Sequence, residues 1–211
     1  MLRLFANYDK LLVRHPFLTN ALTTGFLFGS GDYLAQVFFS QEGKRYDYAR
    51  TSRAAVFGTF IFSPIGDKWY KLLSRVKNPF IKENTSIHPK LISILNAMIP
   101  VAMDQLIFAP FIGIPLYYTS MSVLEFNGSP LETAKIKLTR SWWDTLKTNW
   151  VIWPGFQLVN FIVVPVNFRL LVVNLFSISW NCYLSYVFNH REEGHILNQV
   201  AEVKSEDQIT I

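Results

Sequence analysis

Cysteine is almost absent from this 211-residue chain, and its one thiol, Cys182, excludes an internal disulfide and any four-cysteine metal site. Charge is scarce as well, at 17% of residues, against roughly 25% in soluble domains. Histidine is rare: His15, His88, His190 and His195 lie outside the apolar stretches and form no HExxH or related ligand pattern. No catalytic constellation, metal-ligand set or cofactor loop follows from these residues. Gly29, Gly31 and Leu34 match GxGxxG only in part, within an apolar stretch where no dinucleotide loop would sit. The net charge of +5 is not gathered on an aromatic-laced patch, which argues against direct nucleic-acid binding. Basic residues lie instead between apolar stretches, as at Lys44, Arg45, Arg50 and Arg53 or Lys68, Lys71, Arg75 and Lys77, where they suit anionic headgroups. The first sixteen residues lack the apolar core of a secretory signal. Asp9 and the lack of serine argue against a cleaved mitochondrial presequence, so this segment reads as an uncleaved first helix.

Apolar sequence is abundant: 50% of residues are hydrophobic and 16% aromatic. From Trp150 to Phe188 the only formal charge is Arg169, and about twenty apolar residues suffice for a helix to cross a bilayer. Three more charge-poor stretches run from Pro16 to Phe39, from Ala54 through Gly66 towards Tyr70, and from Leu91 to Leu124. The expected fold is an all-α, integral membrane helical bundle of about four transmembrane spans. Five or six crossings arise if the last stretch folds into a hairpin or Pro-rich spans divide. Pro100, Pro110 and Pro115 are expected to kink or divide Leu91 to Leu124. A single domain is expected over residues 1–190, followed by a polar, acidic tail over 191–211.

Between the last two stretches, Ser129, Pro130 and Glu132 have the order of a helix cap, first turn and capping-box partner. Leu131, Ala134, Leu138, Trp142 and Leu146 then recur every three or four positions among Lys135, Lys137, Arg140 and Lys147. This pattern predicts an amphipathic helix lying at the membrane interface, with Trp142 and Trp143 at headgroup depth. The polar segment from Lys77 to Lys90 predicts a connection between two halves.

Polar residues inside apolar stretches are the functional candidates, because hydrocarbon tolerates them only beside a neighbouring helix or a watery cavity. On the first stretch, Ala21, Gly25, Gly29, Asp32 and Gln36 share one helical face, and Gly25 and Gly29 form a GxxxG packing pair. Asp104 and Gln105 interrupt the third stretch. Gln157 and Asn160 share a face with Trp153, and Asn167, Asn174 and Asn181 repeat every seven residues. Arg169 is the expected ion-pair partner of Asp104 or Asp32, since an isolated ion at membrane depth is costly. These side chains either line an aqueous path or fasten helices together.

Together they resemble the Mpv-seventeen and 22-kilodalton peroxisomal-membrane-protein family. The longest shared pattern is Asn149-Trp150, Trp153-Pro154, Gln157, Asn160-Phe161, Val164-Pro165, Arg169, Asn174, Trp180-Asn181 and Tyr183-Leu184-Ser185. Gly31-Asp32 with Gln36, Arg50, Arg53, Pro64, Trp69-Tyr70, Asp104-Gln105 and Phe108-Ala109-Pro110 agree. Tyr46-Asp47-Tyr48, Ile65 to Tyr70 and Trp142-Trp143 are most similar to the fungal stress-inducible branch. Ser63 and Asp67 stand where members often have glycine and histidine, so no role of those residues carries over.

The resemblance implies a multi-pass protein of the mitochondrial inner membrane, with the peroxisomal membrane as the alternative. It also implies a weakly selective channel for small metabolites, linked to mitochondrial DNA maintenance and to growth on ethanol under heat. A non-conducting scaffold for inner-membrane assemblies is the rival expectation, and a homo-oligomer or larger membrane complex fits either. No enzymatic activity and no cofactor are expected.

Overall fold

The computed structural model describes residues 2–38, 45–76, 78, 88–126 and 129–183. Most of the Lys77–Lys90 connection, the end of the last apolar stretch from Leu184, and the tail 191–211 lie outside the described residues.

Those residues are all-helical. α1 is Leu2–Arg14 and α2 is Pro16–Phe38; α3, Tyr48–Val56, continues through a π-helical segment, Phe57–Phe62, into α4, Ser63–Leu73. α5, Pro89–Met103, continues through a second π segment, Asp104–Gly113, into α6, Ile114–Leu124. α7 is Pro130–Val163, and α8 covers residues 166–183.

Both π segments end two residues before a proline. The Ser63 N–H donates to Gly58 O ahead of Pro64, and the Ile114 N–H donates to Ala109 O ahead of Pro115, each an i→i−5 bond. Proline in a regular α-helix lacks its N–H and presses its ring on the carbonyl four residues back. The wider turn displaces that carbonyl. Leu91–Leu124 therefore stays helical throughout instead of dividing, and by length and composition it can cross a membrane.

The long legs alternate in direction. Gly29 and Gly25 of α2 lie against Ala55 of α3, and Asn20 reaches Asp67 of α4, so α2 and α3–α4 are antiparallel. Trp69 stacks on Phe108 while Phe57 meets Tyr117, which turns α5–α6 back along α3–α4. α7 descends beside α6, with Lys137 at Glu125 and Thr145 at Tyr118. α8 returns parallel to α2, with Asn174 at Thr24 and Asn181 at Gly31. α2 is thus held on two faces. Gly31, absent from the GxxxG pair, serves the α8 contact, where a Cβ would approach Asn181 Cβ to 3.0 Å.

Gly25 is packed more tightly still, since a Cβ there would overlap Thr59 Oγ1 and lie 3.0 Å from Ala55 O. In lipid, with no water to expel, such backbone proximity is what makes a helix contact favourable. Gly25→Leu is expected to lower stability by about 3 kcal/mol, read as a shift in the unfolding midpoint in detergent. Leu22→Ala, at an exposed position, should move it far less.

The amphipathic segment is not a separate interfacial helix. It forms the first half of α7, continuous with the apolar second half, and α7 begins at Pro130 without a Ser129 side-chain cap. Lys137, expected on the polar outer side, is buried and bonded to Glu125 at 3.1 Å. Trp142 donates to Pro110 O at 2.9 Å and packs on the core, whereas Trp143 is exposed.

Candidate functional site

Buried positions on α7 recur at helical spacing and are mostly polar: Ser141, Thr145, Asn149, Gln157 and Asn160. They face Tyr70 on α4, Asp104 and Gln105 at the start of the second π segment, and Tyr118 on α6. An inward polar stripe thus meets the place where the helix joining α5 to α6 widens.

Asp104 organises this centre. Its Oδ1 accepts from Trp69 Nε1 at 2.8 Å, and its Oδ2 accepts from Gln105 Nε2 and Gln157 Nε2, each at 2.8 Å. The same Gln157 nitrogen donates to Tyr70 Oη at 2.8 Å, and Gln157 Oε1 accepts from Asn160 at 3.1 Å. Gln105 Oε1 accepts from Asn149 Nδ2 at 2.8 Å, while its backbone carbonyl accepts from Trp150 Nε1 at 2.9 Å. Charge-assisted bonds of this kind are stronger than neutral ones, and three of them let a carboxylate remain inside without a cation beside it.

Around the network is a cavity of about 90 Å³. Asp104, Gln105, Gln157 and Asn181 line it together with rings such as Phe57 and Trp153. Asp104 is the sole acidic or basic residue in that lining. Trp153 Nε1 and Asn181 Nδ2, both on buried lining residues, have no protein partner. An indole N–H can only donate, so the chamber offers an acceptor-bearing solute or water at least one free donor.

The remaining candidates lie elsewhere. Asp32 accepts from Arg50 Nε and Thr51 Oγ1 at 2.8 Å each and from Gln36 Nε2 at 2.9 Å. Gln36 also exchanges two bonds with the Asp47 backbone, so this cluster closes the turn from α2 to α3 rather than lining the chamber. Asn174 bonds Thr24 at 2.7 Å as a fastener between α8 and α2, and Asn167 is exposed. Arg169 does not pair with either carboxylate. Its Nε donates to Val164 O at 3.1 Å and its Nη2 to Phe161 O at 3.0 Å, with the guanidinium 4.9 Å from the Phe161 ring centre. The carbonyls left unsatisfied where α7 breaks before Pro165 offer that cation a partner without a carboxylate.

Sequence reasoning missed Tyr70, Thr145 and the Asp32–Arg50 pair as parts of this architecture. Asn149 was legible as a member of the Gln157 face, four residues before Trp153, but hydropathy alone cut the segment at Trp150.

The profile of the Mpv17 / PMP22 family matches residues 122–185, which include α7 and most of the chamber's polar face. The chain is 54% identical to Protein SYM1 of Debaryomyces hansenii over 211 residues, covering all of both chains. It is 50% identical to Protein SYM1 of Eremothecium gossypii, over 86% of this chain and 94% of that one. Protein SYM1 of Saccharomyces cerevisiae is 47% identical, over 88% of this chain and 90% of its own. No solved structure matches the chain. With such likeness extending from α1 to α8, the chain belongs to the Mpv17 / PMP22 family.

Proposed function

We propose that this protein is embedded in the mitochondrial inner membrane through four apolar stretches, α2, α3–α4, α5–α6 and α7–α8, and gives small metabolites a weakly selective route through its centre. It acts without catalysis. Support for the membrane reading is the inversion of polarity: Val151, Phe26, Phe60 and Phe111 are 83%, 73%, 71% and 71% exposed, while Gln157, Asn160 and Asn174 are each 1% exposed. Water would drive those two groups to exchange places, whereas lipid favours them where they are. Family membership supports the organelle.

The observation that supports passage is the chamber itself. Close packing normally leaves few voids larger than a water molecule, and this one is bordered by a carboxylate, amides and unpaired donors. Metabolic and mitochondrial-DNA homeostasis under heat or ethanol stress would follow from what the route exchanges.

Planar-bilayer recording of the purified protein tests this. Asp104→Asn removes the chamber's charge and is expected to change the cation-to-anion permeability ratio several-fold; Asp32→Asn, outside the chamber, is expected to leave it unchanged. A current indifferent to Asp104 removes the chamber from the pathway. The absence of any current favours the scaffold, a reading supported by the Asn174–Thr24 bond, which joins two helices without lining the chamber.

A further inference from the structure

A second cavity, of about 170 Å³, lies at the end of the bundle where α1 gives way to α2 and α7 to α8. It is bordered by Val13, Asn20, Asp67, Lys71, Asn167 and Leu170, among others. Val13 and Lys71 are exposed, so this is a surface cleft. Tyr70 is the one described residue that lines both the cleft and the chamber.

Two helices place the division at the same level. On α4, Asp67 and Lys71 border the cleft alone while Tyr70 borders both spaces; on α8, Leu170 borders the cleft and Val173, less than one turn on, borders the chamber. The Tyr70 side chain is 6% exposed and its hydroxyl accepts from Gln157 Nε2, which is itself bonded to Asp104.

We propose that Tyr70 is a movable partition, latched by Gln157, between the cleft and the chamber, and that solutes pass from one to the other by displacing its ring. This proposal rests on the reading of the chamber as a solute route. At about 90 Å³ the chamber is several times the roughly 10–15 Å³ that one water needs, so it has room for a small solute.

Thiol accessibility tests the partition without requiring a current. In the full chain carrying Cys182→Ser, Ser177→Cys places a single thiol in the chamber wall, and Asn167→Cys places one in the cleft. Each protein, reconstituted in liposomes, is treated with 2-aminoethyl methanethiosulfonate, and modification is followed by mass spectrometry. Tyr70→Ala is expected to accelerate modification at position 177 at least tenfold, and Tyr70→Phe, which keeps the ring but loses the latch, about threefold. Position 167 should react at the same rate in all three backgrounds. An unchanged rate at 177 in Tyr70→Ala with helical content retained overturns the proposal. If Tyr70→Ala does not fold, an unchanged rate in Tyr70→Phe overturns it. Faster modification in a protein that passes no current leaves the partition standing and removes conduction; a current with unchanged modification does the reverse.

Discussion

Asp104→Ala is expected to cost about 4 kcal/mol of unfolding free energy, because three donors, two of them buried, each lose a bond at about 1–3 kcal/mol. The donors are Trp69 Nε1, Gln105 Nε2 and Gln157 Nε2, which come from α4, the second π segment and α7. Gln157 would retain its bonds to Tyr70 Oη and from Asn160 Nδ2. The estimate sits below the sum of the maxima because hydrogen bonds between membrane helices average only about 0.6 kcal/mol when an alternative partner is within reach. Water entering the enlarged chamber would be that partner. Asp104→Asn keeps the shape and one acceptor oxygen but points an amide at a neighbouring donor, so a smaller loss of about 2 kcal/mol is expected. Equilibrium unfolding in mixed detergent micelles checks both values. Equal stability of the parent and Asp104→Ala would mean that the carboxylate does not hold these helices together.

That result bears on two roles at once. A residue that lines a route need not carry stability, and one that fastens helices need not touch solute. Asp104 is placed for either role, bonded on three sides and bordering the chamber. The pairing of bilayer selectivity with unfolding therefore separates roles that either measurement alone would merge.

Much of this architecture is legible in the order of residues because lipid imposes a simple rule: apolar length gives helices, and polar interruptions must find partners. The Gly25–Gly29 face and the inward turn of Asp104 and Gln157 follow from spacing on a helix. What spacing cannot supply is which elements meet. Asp32 and Arg50 are separated by a connection and belong to different helices, so the bond between them is a product of the antiparallel return, not of periodicity. Arg169 illustrates the converse. Charge alone pointed to a carboxylate, but a helix end already presents partial negative charge, and the Val164–Pro165 break put that end within reach. The division between chamber and cleft was equally hidden, since Tyr70 looks in sequence like an ordinary aromatic at the end of an apolar run. The joining of the amphipathic segment to the apolar half of α7 was missed for another reason: hydropathy changes at Trp150, while helical hydrogen bonding does not.

Arg50→Ala is expected to destabilise the protein by about 3 kcal/mol, at the lower edge of the range for removing one partner of a buried pair. Asp32, 5% exposed, would keep its bonds from Gln36 and Thr51 but lose the cation that offsets its burial. Asp32→Ala should cost less, about 2 kcal/mol, because the Arg50 side chain is 20% exposed and its head can turn to water. The double variant should then cost clearly less than the sum, with a coupling of about 2 kcal/mol between the two sites. Lys147 and Asp144 provide the control: their side chains are 54% and 39% exposed, and solvent screening should hold their coupling to about 0.5 kcal/mol or less. A double-mutant cycle at each pair, measured by the same unfolding transition, tests whether burial sets the difference. If the singles at Asp32 and Arg50 simply add, the closure of the turn from α2 to α3 depends on the Gln36 clamp to the Asp47 backbone and not on the ion pair.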